Sequence, residues 1–216
     1  MRKGFIFDLD GVITDTAKFH YIAWKKLARS LGISIDLEFN EQLKGISRMD
    51  SLEKILRYGK KEQIFSQSEK TVLAAKKNED YLSLLQDLTP SDLLPGFKPF
   101  LTDVKKHKIP CAVASASKNA PFILKKLEIF DDFDTIVDPE TLTKGKPDPE
   151  IFIRAAQALN IKTNQAVGFE DAQAGIDAIK ACDMFAVGVI SQQSLINTDI
   201  SVKRLDELSV TRLIQE

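Results

Sequence analysis

The sequence predicts an α/β protein: a Rossmann-like, doubly wound parallel sheet core with an all-helical cap domain inserted after its first strand. Three observations predict this. Short apolar runs alternate with stretches of helical periodicity along most of the chain. Polar clusters follow several of those runs, where ligands of open parallel sheets bind. A long early segment is helical throughout and carries no convincing strand.

Gly4-Phe5-Ile6-Phe7 is a short apolar run closed by Asp8-Leu9-Asp10-Gly11, which reads as a buried strand ending in a loop. Further strands are expected at Ile109 to Ala114, Thr135 to Val137, Gln165 to Phe169 and Met184 to Val189. Phe152, Ala155, Ala156 and Leu159 recur at helical spacing, with Pro147 and Pro149 where that helix begins. In the early segment Trp24, Leu27, Ala28 and Leu31 form one stripe closed by Gly32. Leu52, Ile55 and Leu56 form a second, with Asp50 and Glu53 as its capping box and Gly59 as its stop. Tyr81, Leu84, Leu85 and Leu88 form a third. Pro and Gly punctuate the chain from Pro90 to Pro95. The expected core therefore comprises residues 1–15 and 94–216, and the helical cap residues 16–93.

Lys and Arg number 30 against 31 Asp and Glu, for a net charge of -1. No long-range basic field favours a nucleic acid or a membrane surface, so neither is expected as a partner. The two cysteines, Cys111 and Cys182, lie in apolar stretches and make no disulfide framework. A reducing, cytoplasmic location is expected, for a chain that begins almost at once with a strand.

Asp8 and Asp10 end the first strand, and Glu170-Asp171 ends the fourth. In a parallel sheet both pairs reach the same edge. Four carboxylates converging there would repel one another without a cation, and hard oxygen donors suit Mg²⁺. The same edge offers donors for an anion. Ser115, Ser117 and Asn119 precede a helix expected from Pro121 onward, and Lys118 adds charge. Lys146, before Pro147-Asp148-Pro149, opposes the dipole of the helix that follows, which gives it a functional reason rather than a structural one. Lys144 is a neighbour, and Lys146 is preferred because a proline fixes its backbone.

Phe7-Asp8-Leu9-Asp10-Gly11-Val12, Ser115-Ala116-Ser117, Lys146-Pro147 and Gly168-Phe169-Glu170-Asp171 together resemble the four motifs of the haloacid dehalogenase superfamily, in order and spacing. Ile13-Thr14-Asp15-Thr16, Phe39-Asn40-Glu41-Gln42-Leu43-Lys44-Gly45, Lys118-Asn119 and Gln173-Ala174-Gly175-Ile176 extend the likeness to its sugar-phosphate mutases, up to about Val189. Ala172 stands where a serine is expected, and Gly59 to Lys70 match weakly.

The resemblance implies that Asp8 attacks phosphorus and becomes an aspartyl phosphate, with Asp10 as general acid–base. It implies Mg²⁺ held by Asp8, the Asp10 carbonyl and Asp171, with Glu170 contributing directly or through another ligand. Ser115 and Lys146 would stabilise the transferring phosphoryl group. Thr16, His20 and Trp24 would share one helix face, His20 helping to position Asp10. Lys44, Gly45, Arg48, Ser51 and Lys77 would contact substrate from the cap, with Lys76 an alternative to Lys77. Arg48, with Ser117, Lys118 and Asn119 in the Ser115-Ala116-Ser117-Lys118-Asn119 loop, would hold the non-reacting phosphate. Cap closure would exclude water. The implied partners are small sugar phosphates, and the implied reaction, in a monomer, interconverts the 1- and 6-phosphates of β-D-glucose. A phosphatase of the same superfamily is the alternative, and a non-catalytic sugar-phosphate-binding regulator is the remote one.

Overall fold

A computed structural model describes residues 1–190 and 194–215. In chain order its principal elements are β1 (Gly4–Phe7), α1 (Ala17–Ser30), α2 (Leu37–Glu41), α3 (Arg48–Tyr58), α4 (Gln67–Leu84), α5 (Phe97–Lys106), β2 (Cys111–Val113), α6 (Ala120–Lys126), β3 (Thr135–Ile136), α7 (Glu150–Ala158), β4 (Ala166–Glu170), α8 (Gln173–Ala181), β5 (Phe185–Val189), β6 (Ile200–Val202) and α9 (Val210–Gln215). The chain forms two compact units, Met1–Asp15 with Leu88–Glu216, and Thr16–Asp87. Residues 88–93, expected in the cap, belong with the first: Thr14 Oγ1 donates to the Asp92 carbonyl at 2.7 Å and Thr14 bridges to Leu93.

The first unit is built on a six-stranded sheet in the order β3-β2-β1-β4-β5-β6, with every neighbouring pair parallel. The strand order reverses between β1 and β4, which places the ligand crevice outside their carboxyl ends. Side chains alternate along β1 with the strand period of two. Phe5 and Phe7 face one side and pack with Phe97, Phe100, Phe133 and Phe169. Ile6 faces the other, in a core with Ala112, Ala114, Ile151, Phe152, Ile176 and Ile179 from β2, α7 and α8.

The five expected strands are present; half of their ends are trimmed by one or two residues, and β4 runs one residue further, to Glu170. β6 is an addition that the sequence reading lacks: Ile200-Ser201-Val202 is too short and too polar for a buried-strand signal, and its pairing with β5 makes it a strand. Cys111 lies in β2 and Cys182 caps the end of α8; both are buried free thiols. Burial pushes Cys111 up to about 12 and Cys182 to about 11, so neither is a thiolate at neutral pH. Among the described residues no helix is long and apolar enough to cross a membrane.

The second unit is helical. Trp24, Leu27 and Ala28 of α1 pack with Ile33, Ile35, Phe39, Leu43, Leu52, Ile55, Leu56 and Ala74. The start of α3 corrects the expected capping box. Ser47, not Asp50, is the N-cap: its Oγ accepts from the Asp50 N–H at 3.1 Å and donates to Asp50 Oδ2 at 2.6 Å. The serine hydroxyl captures the first turn three residues earlier than the Asp50–Glu53 pattern predicts, while Gly59 ends the helix as expected. α4 starts well before its expected stripe, at a capping box between Ser66 and Glu69, and ends at Leu84, so Leu85 and Leu88 lie beyond it. Its buried positions are Ala74, Lys77 and Tyr81, and a lysine among them hides the periodicity.

Candidate active site

Register assembles the first half of the site. Phe7 pairs with Phe169, so Asp8 and Glu170, the next residues, lie side by side at the carboxyl ends of β1 and β4. The Asp8 N–H donates to the Phe169 carbonyl at 2.9 Å. Strand parity puts both side chains on the Ile6 face, the face that α7 and α8 cover. Lys146, in the loop ahead of α7, reaches in there. Its Nζ donates to Asp8 Oδ1 and to Glu170 Oε2, each at 2.7 Å, and lies 5.1 Å from the centre of the Phe152 ring. The Lys146–Pro147 peptide is cis.

All three groups are buried: Asp8 is 5% exposed, Lys146 4% and Glu170 0%. Burial alone would lower the Lys146 pKa. Asp8 and Glu170 outweigh it and raise its pKa, so the lysine stays a cation. Burial, followed by repulsion from Asp8, pushes the Glu170 carboxyl up to about 7 against the pull of Lys146. One lysine therefore does not supply the positive charge that two buried carboxylates require.

Asp171 brings a third. Ligand oxygens of Asp8, Glu170 and Asp171 lie within 4.8 Å of one another, the arrangement of a divalent-metal site. The donors are hard anionic oxygens in excess over nearby cationic charge, which fits a hard divalent ion. Gly11 makes this possible. It sits at φ +77°, and a Cβ there would lie 2.0 Å from Asp171 Oδ2. Asp10, half-buried, belongs to the same turn, where Gly11 N–H donates to the Thr14 carbonyl at 2.8 Å. Its carboxylate is not a member of the three-residue cluster.

The anion side lies after β2. The Ala114 N–H donates to the Phe7 carbonyl at 2.8 Å, which carries the chain past Asp8 and leaves Ser115 buried. Ser115 Oγ accepts from the Ser117 N–H at 3.1 Å, and Ser117 Oγ from the Asn119 N–H at 3.3 Å. These two bonds shape the loop. Ala116, Ser117 and Asn119 are half-buried and Lys118 is exposed. α6 begins at Ala120, one residue ahead of the expected Pro121. Lys118 pairs with Glu140, a partner that sequence reading missed because only the fold brings the two loops together.

In the helical unit the expected face of α1 is real. Thr16 is its N-cap, and Thr16, His20 and Trp24 all meet α4. Thr16 Oγ1 lies 2.7 Å from the Tyr81 hydroxyl, and the His20 ring stacks on Tyr81 at 3.9 Å. Lys77 Nζ lies 2.6 Å from His20 Nδ1, and 4.6 and 4.7 Å from the Trp24 and Tyr81 rings. An ammonium has no lone pair, so Nδ1 accepts and the imidazole proton sits on Nε2. Burial, then the charges of Lys77 and Arg48, hold the His20 pKa well below its ordinary value. Lys77 is buried while Lys76 is exposed. Arg48 opens α3, Ser51 Oγ donates to the Ser47 carbonyl at 2.9 Å, Lys44 pairs with Glu41 at 2.9 Å, and Gly45 turns at φ +72°. Tyr81 was legible only as one member of an apolar stripe.

Residues 2–183 match the haloacid dehalogenase-like hydrolase family. The chain belongs to that family. Among relatives in it, a β-phosphoglucomutase of Bacillus subtilis is 49% identical over 214 residues, covering 99% of this chain and 95% of that protein. A fructose-1-phosphate phosphatase of Escherichia coli is 31% identical, covering 86% and 95%. The crystal structure of a β-phosphoglucomutase from Clostridium difficile superposes with a TM-score of 0.96 at 47% identity, covering all of this chain and 96% of that one.

Proposed function

We propose that the protein is a β-phosphoglucomutase, interconverting β-D-glucose 1-phosphate and β-D-glucose 6-phosphate through an aspartyl phosphate on Asp8 and β-D-glucose 1,6-bisphosphate. The observation that carries this reading is the Asp8 carboxylate, held by Lys146 beside two further acids at the point where the strand order reverses. The near-full-length likeness to mutases, which takes in the helical unit as well as the sheet, supports a sugar hydroxyl rather than water as acceptor.

In the first half-reaction an Asp8 oxygen bonds to the C1 phosphorus of the bisphosphate as the bond from phosphorus to the sugar oxygen breaks, which leaves β-D-glucose 6-phosphate. Asp10 gives its proton to that leaving oxygen. The Lys146 ammonium and the Ser115 hydroxyl neutralise charge on the phosphoryl oxygens, which is where most of the catalysis of such transfers resides. In the second half-reaction the 6-hydroxyl of β-D-glucose 1-phosphate gives its proton to Asp10 and attacks the phosphoryl group, which regenerates the bisphosphate and releases Asp8. Asp8, Asp171 and the Asp10 carbonyl, with Glu170 beside them, would hold Mg²⁺, which would supply the positive charge that phosphoryl and carboxylate oxygens require together.

Substrate recognition falls to two sets of groups. Ser115, Ala116, Ser117, Lys118 and Asn119 line the loop after β2. In the helical unit the groups are Thr16, His20, Trp24, Lys44, Gly45, Arg48, Ser51 and Lys77. Arg48 presents a planar fork suited to the non-reacting phosphate. His20, neutral with its proton on Nε2, is a hydrogen-bond donor suited to positioning Asp10.

The test supplies β-glucose 1-phosphate, a trace of the bisphosphate and Mg²⁺, and follows glucose 6-phosphate and free phosphate together. Glucose 6-phosphate without phosphate release is expected. Stoichiometric phosphate release would make the protein a phosphatase, and absence of turnover would make it a sugar-phosphate binder. With Asp8→Asn no labelled phosphoenzyme should form; a label that persists overturns the nucleophile.

A further inference from the structure

Gly175 occupies a position that its backbone does not explain. It is the third residue of α8 and has ordinary right-handed geometry, so an alanine there would favour the helix. What excludes a side chain is Glu170. A Cβ on residue 175 would lie 2.0 Å from both the Glu170 Cδ and Oε2, against about 3.5–4.0 Å for a normal contact. The carboxylate cannot yield, because both its oxygens are held. Oε2 accepts from Lys146, and Oε1 accepts from the Asp171 and Ala172 N–H groups, each at 3.2 Å. Ala172, the α8 N-cap, has no side-chain oxygen to offer the helix start, so Glu170 from the preceding strand stands against this end of α8 instead.

We propose that Gly175 is a positioning residue for the metal site: it is the seat against which the Glu170 carboxylate is placed between Lys146 and the cluster with Asp8 and Asp171. The inference rests on the metal reading of that cluster. The comparison with Gly11 isolates it. At Gly11 a positive φ and the close approach of Asp171 both demand glycine, so a substitution there mixes two effects. At Gly175 only the carboxylate demands it. A Cβ displaces Glu170 by more than an octahedral Mg²⁺ site tolerates, because that ion requires oxygens at about 2.0–2.1 Å.

The experiment is a Mg²⁺ titration of wild type and Gly175→Ala by calorimetry, with a double-mutant cycle in Tm that adds Glu170→Ala and the combined variant. Gly175→Ala should weaken Mg²⁺ binding by about 10–100-fold, as loss of a group that orients a ligand does. It should lower Tm in the wild-type background and leave Tm equal or higher where residue 170 is alanine. An unchanged Mg²⁺ affinity in Gly175→Ala overturns the proposal. So does an equal loss of Tm, or failure to fold, in both backgrounds, which would make Gly175 a packing residue of α8. If wild type itself binds no Mg²⁺, the metal reading fails, and the Tm cycle still decides whether Gly175 seats Glu170.

Discussion

Lys146 and Lys77 are both buried lysines, in different units, and the chain uses them in opposite ways. Lys146 is 4% exposed and meets two carboxylates, which keep it charged. Lys77 is 1% exposed, and its contacts include an imidazole nitrogen and two aromatic faces. At Lys146 the surrounding charges compete for one cation, and the excess of carboxylate invites a metal. At Lys77 the ammonium adds to burial in keeping a histidine neutral. At Lys146 the partners override burial, and at His20 burial and the neighbouring cation act in the same direction.

The sharpest way to break the contrast is Lys146→Met. Removing the cation leaves two carboxylates buried against each other, at a cost of about 3–5 kcal/mol of stability in metal-free protein. Urea denaturation measures it, and a loss below about 1 kcal/mol would show that the carboxylates do not depend on the lysine. Addition of Mg²⁺ should recover part of the loss, since it supplies the missing charge.

The two regions should next differ in the sign of their pH dependence. Glu170 has a folded pKa raised above its unfolded value, so its contribution is complete below about 4.5 and is lost as pH rises through about 7. His20 has a folded pKa depressed below its unfolded value of 6.5. Its contribution is complete above that value and is lost as pH falls through it. Each slope is at most about 1.4 kcal/mol per pH unit. Glu170→Gln should remove the loss toward neutral pH, and His20→Asn the loss toward acid. Metal-free denaturation at several pH values reads both, and slopes that survive the substitutions refute the assignments.

The smallest effect expected is that of Tyr81→Phe. It deletes the hydroxyl that meets Thr16 and keeps the ring that stacks on His20. A loss of about 1 kcal/mol follows from the hydrogen bond alone. A change in the NMR titration of His20 beyond that small loss would show that the hydroxyl, and not the ring, sets the imidazole environment.

Much of the catalytic half was legible because parallel sheets collect strand ends on one edge. Asp8, Glu170, Asp171, Ser115 and Lys146 could each be placed by the apolar run or proline beside them. The helical unit was less legible. Its α4 buries a lysine where the pattern wants an apolar residue, and the start of α3 is set by a serine hydroxyl rather than by the stronger-looking acidic pair. The polar strand β6 gave no local signal at all.

What the sequence determines by itself is the alternation of buried strands and helices, the place of the inserted helical segment, and the polar motifs at the strand ends. These follow from local periodicity and from motifs that each lie within a few residues. Tertiary structure decided the pairings: Lys146 with both Asp8 and Glu170, Lys77 with His20, Lys118 with Glu140, and Gly175 with the Glu170 carboxylate. Three of the four join residues far apart in the chain. Gly175 lies near Glu170 in sequence, yet only the packing of α8 against the end of β4 shows why it carries no side chain.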